Sequence, residues 1–176
     1  MDLVLNGKAY QLKRADEKDL DQVLQLLVQA AKWLKTKGTT QWNYYITNLE
    51  GNIEEVRESI ISNSTYLLLD KKTVVASITL EEEPNDWDCD IWGEEAHNDC
   101  SVYLHRLVVN RDYSGSEIGK QLVDWAKEFV KSIGKRYIRF DCLGDNEGLN
   151  VYYQRHYKLK GIANIYGKHS KYELLV

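Results

Sequence analysis

The segment Val102–Val130, VYLHRLVVNRDYSGSEIGKQLVDWAKEFV, constrains this chain more than any other. An apolar run through Leu107, Val108 and Val109 reads as a strand. A polar turn with Gly115 and Gly119 follows. Ile118, Leu122, Trp125, Ala126 and Phe129 then recur at helical spacing. A strand that enters a helix through glycines lets the backbone come close to a ligand. The unpaired N–H groups of the first helical turn point outward and favour an anion. The turn is therefore a candidate phosphate cradle, and a second signal, Asn146 with Tyr153, stands about thirty residues further on.

The rest of the chain alternates strands and helices. Tyr10 to Arg14, Tyr66 to Leu69, Val74 to Leu80, Ser101 to Val109, Arg136 to Cys142, Lys160 to Tyr166 and Lys171 to Val176 read as strands. Helices are expected over Asp16 to Lys37, capped by Asp16 and ended by Gly38, and over Asn52 to Ser62, where Asn52 and Glu55 are spaced as a capping box. Two more are expected over Gly115 to Ile133 and Asn146 to His156, the latter capped by Asn146. The acidic stretch Glu81 to Asp99, which holds the only proline, Pro84, reads as a long loop. No repeat or linker breaks the pattern, so residues 1–176 are expected to form one α/β domain around a mixed sheet.

Charge and cysteines narrow the function. Glu81 to Cys100 carries nine acidic residues and no Lys or Arg, which leaves the remainder with 23 basic against 18 acidic residues. No dense basic stripe with interleaved aromatics is present, so nucleic acid is not an expected partner. A modest basic excess at Arg106, Arg111, Lys120, Lys127 and Lys131 would suit a phosphorylated ligand. No apolar run approaches the roughly 18 residues of a membrane span. The start, MDLVLNGKAY, lacks the regions of a signal peptide. Cys89, Cys100 and Cys142 have no metal-ligand spacing, and an odd count without an export signal points to reduced thiols in a cytoplasm. Asp90, His97, Asp99 and Cys100 do not have the spacing of a closed zinc site, and no metal is expected.

The two signals together resemble the GNAT superfamily of N-acetyltransferases. The family's cradle reads Gln/Arg-x-x-Gly-x-Gly/Ala after a strand. The matching positions here are Ser114, Gly115, Ser116, Glu117, Ile118 and Gly119, with Ser114 in place of Gln or Arg and Glu117 in place of Gly. The second block, an Asn, a Tyr seven residues later and a Gly-Phe-like pair, is matched by Asn146, Tyr153 and His156-Tyr157, with His replacing Gly. Lys37 to Trp42 also looks like some members. The resemblance implies a single GNAT-like domain, α/β, with a mixed, mostly antiparallel sheet flanked by helices and a splay between the fourth and fifth main strands.

It also implies acetyl-CoA as co-substrate and direct transfer to a primary amine, a small cationic amine or a peptide amine. The amides from Ser114 to Lys120 would hold the diphosphate. A carboxylate aimed at it would be repelled, so Glu117 must point away or be paired. Backbone groups of Leu107 and Val109 would pair with the pantetheine arm as a sheet edge pairs with an added strand, and an N–H near Val108 would polarise the thioester. Asn146 would contact the coenzyme or cap its helix. Tyr153 matches the tyrosine that donates to the departing thiolate. His105 and Glu82 are candidates to take the amine's proton. The acidic segment would attract a cationic acceptor, and Trp33, Trp42, Trp87 and Trp92 could line its pocket. GNAT proteins often dimerise, so a homodimer is left open. A non-catalytic acyl-CoA binder or a protein-interaction module on the same fold is the alternative reading.

Overall fold

The computed structural model describes residues 1–176, a single α/β domain built on one open sheet of eight strands. β1 (Asp2–Leu5) and β2 (Lys8–Arg14) form a hairpin about Asn6-Gly7, both at positive φ (51° and 77°), which is the turn chemistry this dipeptide prefers. A short 3-10 turn, Glu17–Asp19, leads into α1 (Leu20–Thr36), with Asp16 and Asp19 forming a reciprocal cap. α2 (Tyr44–Thr47) and α3 (Ile53–Ile61) follow, then β3 (Thr65–Asp70) and β4 (Thr73–Glu81). α4 (Asp86–Trp92) and a 3-10 turn (Gly93–His97) precede β5 (Ser101–Val109). α5 (Ile118–Ser132), β6 (Tyr137–Leu143), α6 (Glu147–His156), β7 (Lys158–Asn164) and β8 (Lys168–Leu175) complete the chain. The spatial order is β1-β2-β3-β4-β5-β6-β8-β7.

Three expectations change. A strand at Asp2–Leu5 is an addition; only Leu5 of its four residues is buried, and Asp2 and Val4 are exposed, so it carries little periodic signal. The acidic stretch is not a loop, because Asn85 and Asp88 cap α4 reciprocally and Ile91, Trp92 and Ala96 bury against Tyr103. No box forms at Asn52: its side chain donates back to the Asn48 carbonyl, and Glu55 is engaged by Arg106.

All neighbouring strands are antiparallel except β5 and β6, which run parallel and pair only over Ser101–Tyr103 with Tyr137–Arg139. Beyond these three pairs β5 continues to Val109 and β6 to Leu143 without a ladder between them, so the expected splay is present. A bulge accompanies it. The β4–β5 register slips between Ser77 and Thr79, and Arg106 sits at φ 49°. An extra residue in one strand bends that strand and increases its twist.

Alternation along β3 sends Tyr66 and Leu68 to one face of the sheet and Leu67 to the other. On the first face Ile118, Leu122, Val123, Ala126 and Val130 of α5 pack with Val102, Leu104, Ile138, Phe140 and Tyr153. On the second, α1 and α3 cover Leu67, Val74 and Val108. Leu122 is fully buried. Leu122→Ala is expected to lower unfolding free energy by about 2–5 kcal/mol in urea melts. A loss below about 1 kcal/mol would show that α5 is not part of the core.

Candidate active site

The cradle is built locally. Asn110 Oδ1 accepts from Asp112 N–H (3.0 Å) to start a 3-10 turn over Arg111–Tyr113, and the Ser114 amide donates to the Arg111 carbonyl. The chain then passes through Gly115 at φ 79° and Glu117 at φ 56°, ψ 16°, and α5 begins at Ile118 rather than Gly115. None of the six backbone N–H groups from Gly115 to Lys120 donates a hydrogen bond within the chain. Gln121 N–H, to the Glu117 carbonyl at 3.1 Å, is the first that does. Six open donors thus lie at or just before the positive end of a 15-residue helix, the kind of place that favours an anion.

The left-handed backbone at Glu117 gives a physical reason for glycine at the corresponding place in the resembling motif, since a side chain there costs about 1–2 kcal/mol. Its charge lies on the side of Lys120 and Tyr152. Lys120 pairs with Asp124 at 2.9 Å and, with Glu117 also near, holds its proton more tightly than an ordinary lysine. Burial, and then the Glu117 carboxylate, push the Tyr152 phenol up. A Cβ at Gly119 would meet only Val109 Cγ2 at 3.7 Å, an ordinary contact, so the chain's own packing does not require glycine there.

Beside the cradle lies the gap between β5 and β6. Asn110 N–H donates to the Val75 carbonyl at 2.8 Å, so ladder alternation turns Val108 toward β4 and leaves the peptide groups of Leu107 and Val109 facing the gap. The expectation for Val108 itself is thereby corrected: its amide faces β4, and its side chain is buried under α1. Arg106 does not face a phosphate site. Its buried guanidinium donates to Glu55 (2.7 Å) and Ser59 and lies 3.7 Å from Glu81, which pins the bulge to α3. Arg111 lies 3.8 Å over the Trp33 ring.

Tyr153 projects from α6 into the first-face core against Phe140 (ring centroids 5.0 Å) and Tyr172 (5.3 Å). Burial first, and then Cys142, push its phenol well above the usual range; it stays protonated, and its hydroxyl has no partner in the chain. Asn146 Oδ1 caps α6 by accepting from Leu149 N–H, while its amide group donates to Gln41 Oε1 at 2.9 Å, so both ends of the side chain are engaged. Thr39 and Thr40 donate to Asp145, and these bonds lace the Lys37–Trp42 stretch over the loop after β6.

On the second face His105 Nε2 stands 3.0 Å from Asp88 and 3.9 Å from Glu81; ligand atoms of the three lie within 4.8 Å of one another. Burial opposes the imidazolium, but Asp88 and Glu81 outweigh it and raise the pKa. Glu82 is exposed and outside this group; Glu81, held by Ser59 at 2.7 Å, occupies the place expected of it. Across the gap, His169 Nδ1 lies 3.0 Å from Asp141, which also accepts from Trp87 Nε1 at 3.1 Å. Thus two adjacent residues of α4, Trp87 and Asp88, grip the two banks of the gap. Of the other indoles, Trp92 is core, Trp42 packs against the second-face core, and Trp33 lies under Arg111. The Asp141–His169 pair has no local sequence signal, because its members lie 28 residues apart on neighbouring strands. The spacing of Asn85 and Asp88 was the signal that could have placed α4, and with it Trp87, over β6.

Residues 25–157 match the model of the Acetyltransferase (GNAT) family. An uncharacterised N-acetyltransferase of Bacillus subtilis (strain 168) is 31% identical over 137 residues, 78% of this chain and 74% of its own length. A GNAT-family acetyltransferase of Listeria monocytogenes superposes with a TM-score of 0.82 at 26% identity over 100% of both chains. The PaiA N-acetyltransferase of Thermoplasma acidophilum, in complex with coenzyme A, gives 0.72 at 18% identity over 96% of this chain and 100% of its own.

Two outcomes are expected of the site as a structure. Glu117→Gly should raise unfolding free energy by about 0.5–1 kcal/mol in urea melts, because glycine adopts the left-handed conformation freely; an unchanged or lower value contradicts strain at that position. His105 and His169 both hold protons more tightly than the roughly 6.5 of an unfolded histidine. Their contribution to stability is complete below that pH and is lost as pH rises through the folded-state values. The urea midpoint should therefore fall as pH rises above about 6.5, and the double variant His105→Gln/His169→Gln should flatten the fall. A midpoint that rises with pH contradicts this.

Proposed function

We propose that this chain, which belongs to the GNAT acetyltransferase family, transfers the acetyl group of acetyl-CoA directly to a primary amine, either a small cationic amine or a peptide amine. It is an acetyl-CoA-dependent acetyltransferase. The observation that carries the site assignment is the row of six open amides from Gly115 to Lys120. In this reading those amides, in the loop formed by Ser114, Gly115, Ser116, Glu117, Ile118, Gly119 and Lys120, take the diphosphate. The free edge of β5 at Leu107 and Val109 pairs with the pantetheine amides across the gap. Asn146 acts as a cap and a tie rather than a coenzyme ligand, because Leu149 and Gln41 already occupy it.

The amine approaches from the second face. His105, oriented by Asp88, or water relayed through Glu81 removes its proton; Glu82 has no part. The neutral nitrogen attacks the thioester carbon and a C–N bond forms; the adduct gives up its second ammonium proton to water, and the C–S bond breaks with the electron pair leaving on sulfur, which takes its proton from solvent. Tyr153 donates a hydrogen bond to that sulfur. A thiol titrates near about 8.5 and an unperturbed phenol near about 10. Burial raises the Tyr153 phenol further, so it stabilises the thiolate more than it protonates it. Glu81 and Asp88 are already matched by His105 and Arg106, and it is the exposed Glu82, Glu83, Asp86 and Asp90 around them that favour a cationic acceptor. No helix is long and apolar enough to cross a membrane, and the three cysteines are free; the latter suits a reducing cytoplasm, where we place the protein.

A thiol-release assay over a panel of amines tests the reading. Turnover should appear with at least one cationic amine, and Tyr153→Phe should lower kcat about 100-fold with the KM for acetyl-CoA little changed. Unaltered turnover in Tyr153→Phe removes the tyrosine from the mechanism.

A further inference from the structure

The cradle loop is open on the side of its amides, and two of its residues, Gly115 and Glu117, are in left-handed backbone. Little within the loop itself fixes where its donors point. One internal bond, Ser116 Oγ–H to the Tyr113 carbonyl, closes its first half. The other support comes from the opposite end of the chain. The Asn6 carboxamide, at the tip of the β1–β2 hairpin, donates from Nδ2 to the Ser116 carbonyl at 2.8 Å. The same hairpin reaches the start of the loop: Lys8 and the Tyr113 hydroxyl both bond Asp70 Oδ2, at 2.5 and 3.1 Å, and Lys8 Nζ lies 5.8 Å from the centre of the Tyr113 ring. This hairpin lies wholly outside residues 25–157, the part that matches the family.

We infer that Asn6 is a positioning residue for the coenzyme, resting on the assignment of Gly115–Lys120 to the diphosphate: by holding the Ser116 carbonyl, it sets the peptide plane whose other end is the Glu117 amide. The carbonyl of Ser116 and the N–H of Glu117 belong to one planar unit, so a bond to the first orients the second. An oriented donor does not have to be ordered when the anion arrives, and that ordering otherwise weakens binding. The left-handed φ of Asn6 suits the test, because glycine adopts it as readily while lacking the donor.

Kinetics of wild type, Asn6→Gly and Gly119→Ala would be measured with acetyl-CoA and with acetyl-pantetheine, which has no diphosphate, together with the melting temperature of each. Asn6→Gly should raise the KM for acetyl-CoA about three- to tenfold, the range for loss of one hydrogen bond. Its kcat at saturation, its KM for the amine, its kinetics with acetyl-pantetheine and its melting temperature should stay as in wild type. A merely structural hairpin contact would shift stability, or weaken both donors equally, and that result overturns the inference. So does an unchanged KM for acetyl-CoA in Asn6→Gly while Gly119→Ala raises it. If Gly119→Ala leaves the preference for acetyl-CoA over acetyl-pantetheine intact, the diphosphate assignment fails and the role of Asn6 fails with it.

Discussion

The sheet stops pairing between its fifth and sixth strands. β5 and β6 share three residue pairs and then part, and the peptide groups of Leu107 and Val109 are left facing an unpaired gap inside an otherwise continuous ladder. Backbone donors and acceptors removed from water need partners. An opening of this kind is stable only if something polar and extended fills it or water does. Most of the functional architecture follows from this parting. The bulge at Arg106 fixes which peptide groups face the gap, and the guanidinium of the same residue pins the bulge to α3 through Glu55 and Ser59. Beyond the end of β5 the chain turns through a loop into a helix, and the six donors from Gly115 to Lys120 that join the two are also open. An extended arm with amides at one end and a diphosphate at the other matches both features in order.

The second face supplies the complementary half. α4 spans the gap by two adjacent side chains, Trp87 to Asp141 on β6 and Asp88 to His105 on β5. The two histidine–carboxylate pairs do not come from one strand but from opposite banks, and one short helix sets their separation. The charge run in the sequence is therefore structural as well as solvated: Asp88 is almost fully buried, while Asp86 caps nothing and stays outside. Tyr153 packs on the other face, against Phe140 and Tyr172, so the histidine–carboxylate pairs and this tyrosine lie on opposite sides of the sheet.

Much of this was legible in the chain. Strand β5 has the bounds its apolar run implies, and Asp16 and Asn146 cap where Asp and Asn before apolar periodicity should. The helical spacing of Ile118, Leu122 and Ala126 survives because all three are buried. What did not carry over was decided by distant partners. Asn52 and Glu55 have the spacing of a capping box, yet Arg106, 51 residues away from Glu55, takes the carboxylate. Glu82 and Glu81 are indistinguishable as letters, and only strand parity turns Glu81 inward. Asp141 and His169 meet because β6 and β8 are neighbours, which no local pattern encodes.

The most direct measurement is an amide-resolved NMR titration with coenzyme A. The backbone N–H resonances of Gly115 to Lys120 should shift together and saturate with the binding isotherm, and the same resonances should respond weakly to pantetheine lacking the diphosphate. If coenzyme A binds to saturation while these six resonances stay in place, the diphosphate lies elsewhere and the reading of this site is wrong.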